Sequence, residues 1–156
     1  MDKVFLYGKK ILEDEPDIIK SRRFIHFNLD SKIDDIIVMY GLEKYKRKLV
    51  ERNSSKDFEM GWHQDDVAFH RNSKNHCSQY NKDNIKPYCK DEPPIYTLIL
   101  YYSSIGEDFD GGEFCFVDEK VRPKKGMGIL FDSREIHRVN RVKWGERKAI
   151  VIKLYN

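Results

Sequence analysis

Apolar residues in the C-terminal half of the chain fall into short runs separated by turn-forming residues. Ile95–Ser103, Gly112–Val117, Met127–Phe131, Ile136–Val142 and Lys148–Tyr155 each have the length of a strand. Between them stand Gly111-Gly112, the stretch from Pro123 to Gly126, and Trp144-Gly145, all common turn punctuation. Short strands at this spacing predict an antiparallel sandwich or jelly roll. The first 56 residues are mixed. Val4–Tyr7 and Arg23–Leu29 read as strands. Ser31-Lys32-Ile33-Asp34 has the S-x-x-D form of a capping box, and Ile33, Ile36, Ile37, Tyr40 and Tyr45 follow at near-helical spacing. That pattern predicts one amphipathic helix over 32–51, weakest near Gly41, packed on a sheet. The charged stretch from Lys44 to Arg52 reads as a solvated face. Residues 66–94 lose periodicity and carry Pro87, Pro93 and Pro94. Such a long loop is a candidate lid, with Lys86, Tyr88 and Lys90 as candidate substrate contacts. The predicted fold is mainly β with a flanking helix: one domain over 1–156, with supporting elements in 1–56 and a β-rich body in 57–155.

Length and composition narrow this picture. A chain of 156 residues is enough for one ordinary domain. With 40% hydrophobic and 13% aromatic residues it can build a core, which excludes a disordered tail. No apolar run approaches the ~18 residues needed to cross a bilayer. Lys plus Arg number 29 and Asp plus Glu 26, a net charge of +3 with both signs scattered along the chain. That is no electrostatic stripe for nucleic acid. The N-terminal apolar run is short and lacks an A-x-A-like cleavage site, so no secretory signal is expected. Three cysteines, Cys77, Cys89 and Cys115, cannot all pair within one chain. A reduced, cytoplasmic location is the expectation.

The chemistry concentrates in Gly61-Trp62-His63-Gln64-Asp65-Asp66. In an extended segment His63 and Asp65 project from one face. An imidazole beside a carboxylate suits a first-row divalent metal, and His137 on a predicted strand is the candidate third ligand. Two histidines and one carboxylate make a facial triad that leaves positions open on Fe(II). H-x-D alone occurs by chance. Arg147 strengthens it: it stands ten residues beyond His137, after the Trp144-Gly145 turn, where a hairpin would fold it back beside the strand of His137. A guanidinium there could pair with a carboxylate of a dicarboxylic ligand. Taken alone, Arg147 reads equally well as a surface arginine after a turn. His70, His76, Cys77 and Cys89 match no common structural zinc spacing and read as incidental. Trp62 and Phe131 are expected to pack around the site and His26 to be structural. Asp66 is either a residue that orients a ligand or an exposed carboxylate.

Together these features resemble the prolyl 4-hydroxylase-like branch of the Fe(II)/2-oxoglutarate dioxygenases. The resemblance covers roughly residues 58–155. It includes H-x-D at His63 and Asp65, the distal His137, Arg147, the strand Thr97-Leu98-Ile99-Leu100-Tyr101-Tyr102, Gly111-Gly112-Glu113-Phe114, and Pro123-x-x-Gly126 before Phe131. It implies a double-stranded β-helix whose open end holds iron between His63, Asp65 and His137. It also implies that Arg147 pairs with the C5 carboxylate of 2-oxoglutarate, helped by a tyrosine hydroxyl. Aligned on Ser103-Ser104, Tyr102 takes that place; Tyr101 points to the opposite face by alternation. The implied cofactors are Fe(II), 2-oxoglutarate as cosubstrate and O2, with ascorbate as a further candidate. The implied reaction hydroxylates a C–H bond of a peptidyl proline or other protein residue and releases succinate and CO2. A second resemblance, of Gly61–Asp66 to the metal loop of AlkB-type nucleic-acid demethylases, is weaker. That branch carries two C-terminal arginines, whereas the position six after Arg147 is Lys153. A non-catalytic jelly-roll binding module is the remaining reading, but it gives no reason for His137 and Arg147 to stand at these offsets.

Overall fold

The computed structural model describes residues 3–65 and 93–156. The first segment runs through α1 (Lys3–Asp14), α2 (Asp17–Lys20), β1 (Arg23–His26), α3 (Ile33–Met39), β2 (Lys46–Ser54) and β3 (Met60–His63). The second contains β4 (Tyr96–Tyr101), β5 (Phe109–Gly111), β6 (Phe114–Phe116), β7 (Lys120–Val121), β8 (Met127–Asp132), β9 (His137–Val139), β10 (Val142–Gly145) and β11 (Arg147–Tyr155). These strands pair antiparallel. A five-stranded sheet has the order β1-β8-β4-β11-β2, a four-stranded sheet the order β3-β9-β6-β7, and β10 pairs with β5. This is the predicted mainly-β jelly roll. Among the described residues, no helix is long and apolar enough to cross a membrane.

The central strands of the large sheet are apolar on both faces because both are covered. Along β4, Leu98 and Leu100 join one cluster with Ile25, Phe27, Ile36, Ile37, Leu42, Ile152 and Leu154. Ile99 and Tyr101 join the other, with Phe114, Phe116, Phe131, Val139 and Ala149. The first cluster seats α3 on the outside of the large sheet; the second fills the space between the sheets. Alternating residues thus serve opposite cores, which is why β4 and β8 read as continuous apolar runs.

Three sequence expectations are corrected. Val4–Tyr7 is the start of α1, not a strand. Val4, Phe5, Gly8, Ile11 and Leu12 form its covered stripe, a helical period that a four-residue window cannot reveal. Phe5 lies 5.3 Å from the Trp62 ring, and a Cβ on Gly8 would come within 2.6 Å of Val117. Second, the predicted helix over 32–51 ends at Met39. Gly41 adopts φ +69, its N–H donates to Val38 O at 3.0 Å, and the N–H of Leu42 donates to Ile37 O at 2.9 Å. That double closure is a Schellman stop, with Leu42 buried beyond it. Residues 46–54 are instead β2, paired with β11 from Lys46↔Tyr155 to Ser54↔Arg147. Lys46, Arg47, Lys48 and Arg52 make a charged sheet edge, a composition that discourages pairing with another chain. Third, the N-cap of α3 is Lys32, with no side-chain capping bond. The expected strand at Arg23–Leu29 is present but ends at His26.

Gly111, at the end of β5, has φ +70, and a Cβ there would lie 2.1 Å from the Arg141 carbonyl oxygen. Gly111→Ala meets both a left-handed backbone and a backbone clash. It is expected to cost about 2 kcal/mol or more in urea unfolding. A neutral result would show that the turn can rearrange.

Candidate metal centre and its basic wall

His63 closes β3 and is paired directly opposite His137 at the start of β9. Their rings are therefore cross-strand neighbours, with centroids 4.2 Å apart. Asp65 follows just beyond β3, where its N–H donates to Ser133 O at 2.9 Å. Its Oδ1 stands 3.5 Å from His63 Nε2 and 3.4 Å from His137 Nε2. One ligand atom from each of the three lies within 4.8 Å of the others.

The main chain sets how the imidazoles face. His63 Nδ1 lies 2.7 Å from Gly61 O, and His137 Nδ1 lies 2.9 Å from Glu135 O. A carbonyl can only accept, so these contacts favour a proton on each Nδ1 and a free lone pair on each Nε2. His137 is 3% exposed and is enclosed by Phe114, 5.1 Å away and near-parallel, and by Phe131 at 4.9 Å. Burial holds its pKa below the usual range, and the field of His63 adds to this against the opposing pull of Asp65. Asp65 is 8% exposed. Burial works to raise its pKa, but Lys153 and the two histidines outweigh it and hold the carboxyl well below the ordinary value. The result is two imidazole nitrogens and one carboxylate on one face, a donor set that fits a divalent first-row metal with open positions.

Arg147 opens β11 and is 4% exposed. Its Nε donates to Gly112 O at 3.2 Å and its Nη2 to the Tyr101 hydroxyl at 3.3 Å. The fit to Gly112 is tight: a Cβ there would meet Arg147 Cδ at 3.2 Å. Among the described residues no carboxylate pairs with Arg147. A buried guanidinium with only neutral partners is costly, and it fits an anionic ligand.

The structure places Tyr101, not Tyr102, beside Arg147. Tyr101 is directly opposite Ala149, which shares a face with Arg147 two residues earlier. Tyr102 turns away, with its ring 5.2 Å from Phe27 and against the other core cluster. Burial pushes up the Tyr101 hydroxyl pKa, with Arg147 opposing, so it remains a hydrogen-bond donor.

Phe131 lies against the site as expected; Trp62 instead packs between Phe5 and Arg138. His26 is remote from the triad, its backbone bridged by the Tyr40 hydroxyl. Asp66, His70, His76, Cys77, Cys89, Lys86, Tyr88, Lys90 and nearly all of the expected 66–94 lid lie outside the described residues. Sequence reasoning missed Thr97 and Lys153, which both contact Asp65 Oδ2, at 2.9 Å and 3.0 Å. The available signal was parity: Arg147 and Lys153 lie on the same face of one strand.

Comparison with known proteins bears on this geometry. Residues 50–155 match the family model of the 2OG-Fe(II) oxygenase superfamily. The human 2-oxoglutarate and iron-dependent oxygenase domain-containing protein 3 is 44% identical over 63 residues, covering 36% of this chain and 20% of the relative. Mouse prolyl 3-hydroxylase 2 is 37% identical over 75 residues, covering 41% of this chain and 11% of the relative. The matches thus span a fifth or less of these curated relatives. In fold, the chain is similar to a Pseudomonas putida prolyl-4-hydroxylase, with a TM-score of 0.56 at 14% identity over 98% of this chain and 81% of that one. It is also similar to a viral collagen prolyl hydroxylase from Paramecium bursaria Chlorella virus-1, with a TM-score of 0.53 at 18% identity over 99% and 92%.

Proposed function

Since the chain belongs to the 2OG-Fe(II) oxygenase superfamily, we propose that it hydroxylates a C–H bond of a peptide or protein substrate, with peptidyl proline the favoured target. In this reading His63, Asp65 and His137 hold Fe(II), and Arg147 with the Tyr101 hydroxyl receives the C5 carboxylate of 2-oxoglutarate. The observation that carries it is a buried guanidinium that no carboxylate among the described residues pairs with, in the same inter-sheet space as a converging imidazole–carboxylate triad. When bound, iron with its cosubstrate and O2 supplies the oxidising chemistry, releasing succinate and CO2. The protein's residues supply the geometry. Gly61 and Glu135 carbonyls aim the two Nε2 atoms. Phe114 and Phe131 exclude water from His137. Arg147 neutralises the far end of the dianion where few waters compete. The prolyl hydroxylases among the similar proteins support a proline-containing substrate.

Fe(II) and 2-oxoglutarate added without oxygen should give a weak visible charge-transfer band. That band should disappear in His137→Ala, which removes one of two nitrogen donors. Its absence from the unaltered protein would favour the non-catalytic module. With O2, succinate release should be stimulated by proline-containing peptides and not by methylated oligonucleotides. Stimulation by the oligonucleotides alone would move the substrate class to nucleic acid.

A further inference from the structure

The two oxygens of Asp65 have different surroundings. Oδ1 faces both histidine Nε2 atoms. Oδ2 accepts from Thr97 Oγ1 at 2.9 Å and lies 3.0 Å from Lys153 Nζ. Lys153 and Thr97 are directly opposed on β11 and β4, so both reach Oδ2 from neighbouring strands of the large sheet. The Lys153 side chain is 25% exposed and that of Asp65 7%. This is a partly shielded, charge-assisted contact, stronger than a neutral one.

Resting on the metal reading above, we propose that Lys153 is a positioning residue that keeps Asp65 a one-oxygen ligand and so reserves a metal position for the cosubstrate. A carboxylate released from Lys153 and Thr97 can turn both oxygens to a cation, as carboxylates do at divalent sites. A facial triad leaves three positions. A chelating 2-oxo acid needs two of them and a third reactant the last, so a two-oxygen Asp65 removes one. Charge acts in the same direction. A doubly positive metal, the Asp65 carboxylate and the Arg147 guanidinium face the incoming dianion with a net charge of two positive, which the ammonium group raises to three. Toward the metal alone that ammonium is repulsive. Losing Lys153 therefore weakens cosubstrate binding without weakening metal binding, whereas a residue that only supports the fold would weaken both.

The protein, its Lys153→Met and its Lys153→Arg variants are titrated by calorimetry, first with Co(II) and then, Co(II)-loaded, with 2-oxoglutarate. In Lys153→Met the affinity for 2-oxoglutarate should fall about tenfold or more, with Co(II) bound as tightly as before or tighter. Lys153→Arg, which keeps the charge and the donor, should recover most of the loss. If Lys153→Met does not fold, Lys153→Gln is read by the same criteria. Parallel loss of both affinities, or an unchanged affinity for 2-oxoglutarate, overturns the proposal. Failure of the unaltered protein to bind Co(II) instead removes the metal reading, and this role with it.

Discussion

Arg147→Gln should lose saturable use of 2-oxoglutarate while the protein stays as stable as before, or becomes more so. Arg147 is buried, yet its partners are a glycine carbonyl and a tyrosine hydroxyl. In the absence of ligand, its charge has been taken out of water with no carboxylate among the described residues in return, so neutralising it relieves that cost. With ligand, the same substitution leaves a buried carboxylate facing a neutral amide. Truncating one side of such a pair typically costs about 2–5 kcal/mol, which is about 30-fold or more in affinity. The KM for 2-oxoglutarate should rise by that factor, the Co(II) affinity should not change, and the melting temperature should not fall. Tyr101→Phe should cost far less, about 0.5–1.5 kcal/mol of binding, and Tyr102→Phe nothing. If Tyr102→Phe were the more damaging of the two, β4 would have to present its opposite face to Arg147. An unchanged KM in Arg147→Gln would remove Arg147 from the cosubstrate site.

Arg22→Met should destabilise the protein by about 3–5 kcal/mol, the cost of stranding a buried charge. Arg22 is a 6% exposed side chain lying 3.8 Å over the Phe116 ring. It contacts Glu135 through both Nε and Nη2 and also Glu119 at 2.8 Å and Asp118 at 3.0 Å. Glu135 is 2% exposed. Burial pushes its pKa up, and Arg22 is what pulls against that shift. Without Arg22 the Glu135 carboxylate must protonate or admit water. The double variant Arg22→Met/Glu135→Leu removes both charges and should recover most of the loss in urea unfolding. Because the Glu135 carbonyl aims His137, the single variant should also bind Co(II) more weakly. Equal instability in the single and double variants would show that the two charges are not coupled.

Much of the site was readable because its residues sit in short local patterns. H-x-D needs only two side chains close in sequence: His63 closes β3 and Asp65 follows just beyond it. The ten-residue offset from His137 to Arg147 was readable but its route was not: the sequence predicts one strand over Ile136–Val142 and a hairpin at Trp144-Gly145 beside it, whereas Trp144 and Gly145 belong to β10, which pairs with β5, and Arg147 opens β11 in the other sheet. What was not readable depends on who pairs with whom. Alternation put Tyr101 and Tyr102 on opposite faces, but only the Ala149↔Tyr101 register decides which face holds Arg147. Parity puts Lys153 on the face of Arg147, but its contact with Asp65 depends on how the two sheets meet rather than on spacing. Residues 46–54 lack apolar alternation because β2 is a charged edge, mostly exposed, so its strand character comes from its partner β11 rather than its own composition. Val4–Tyr7 is too short to distinguish a period of two from one of 3.6.

The outer core cluster has a practical consequence. Ile25, Phe27, Ile36, Ile37 and Leu42 all precede residue 50, where the family match begins. They cover Leu98, Leu100, Leu130, Ile152 and Leu154 on the back of the large sheet. A minimal fragment cut at the homology boundary would keep every proposed iron ligand yet bare a broad greasy plane, inviting aggregation. The leading third of the polypeptide, devoid of recognisable signature, is what shields that plane from water.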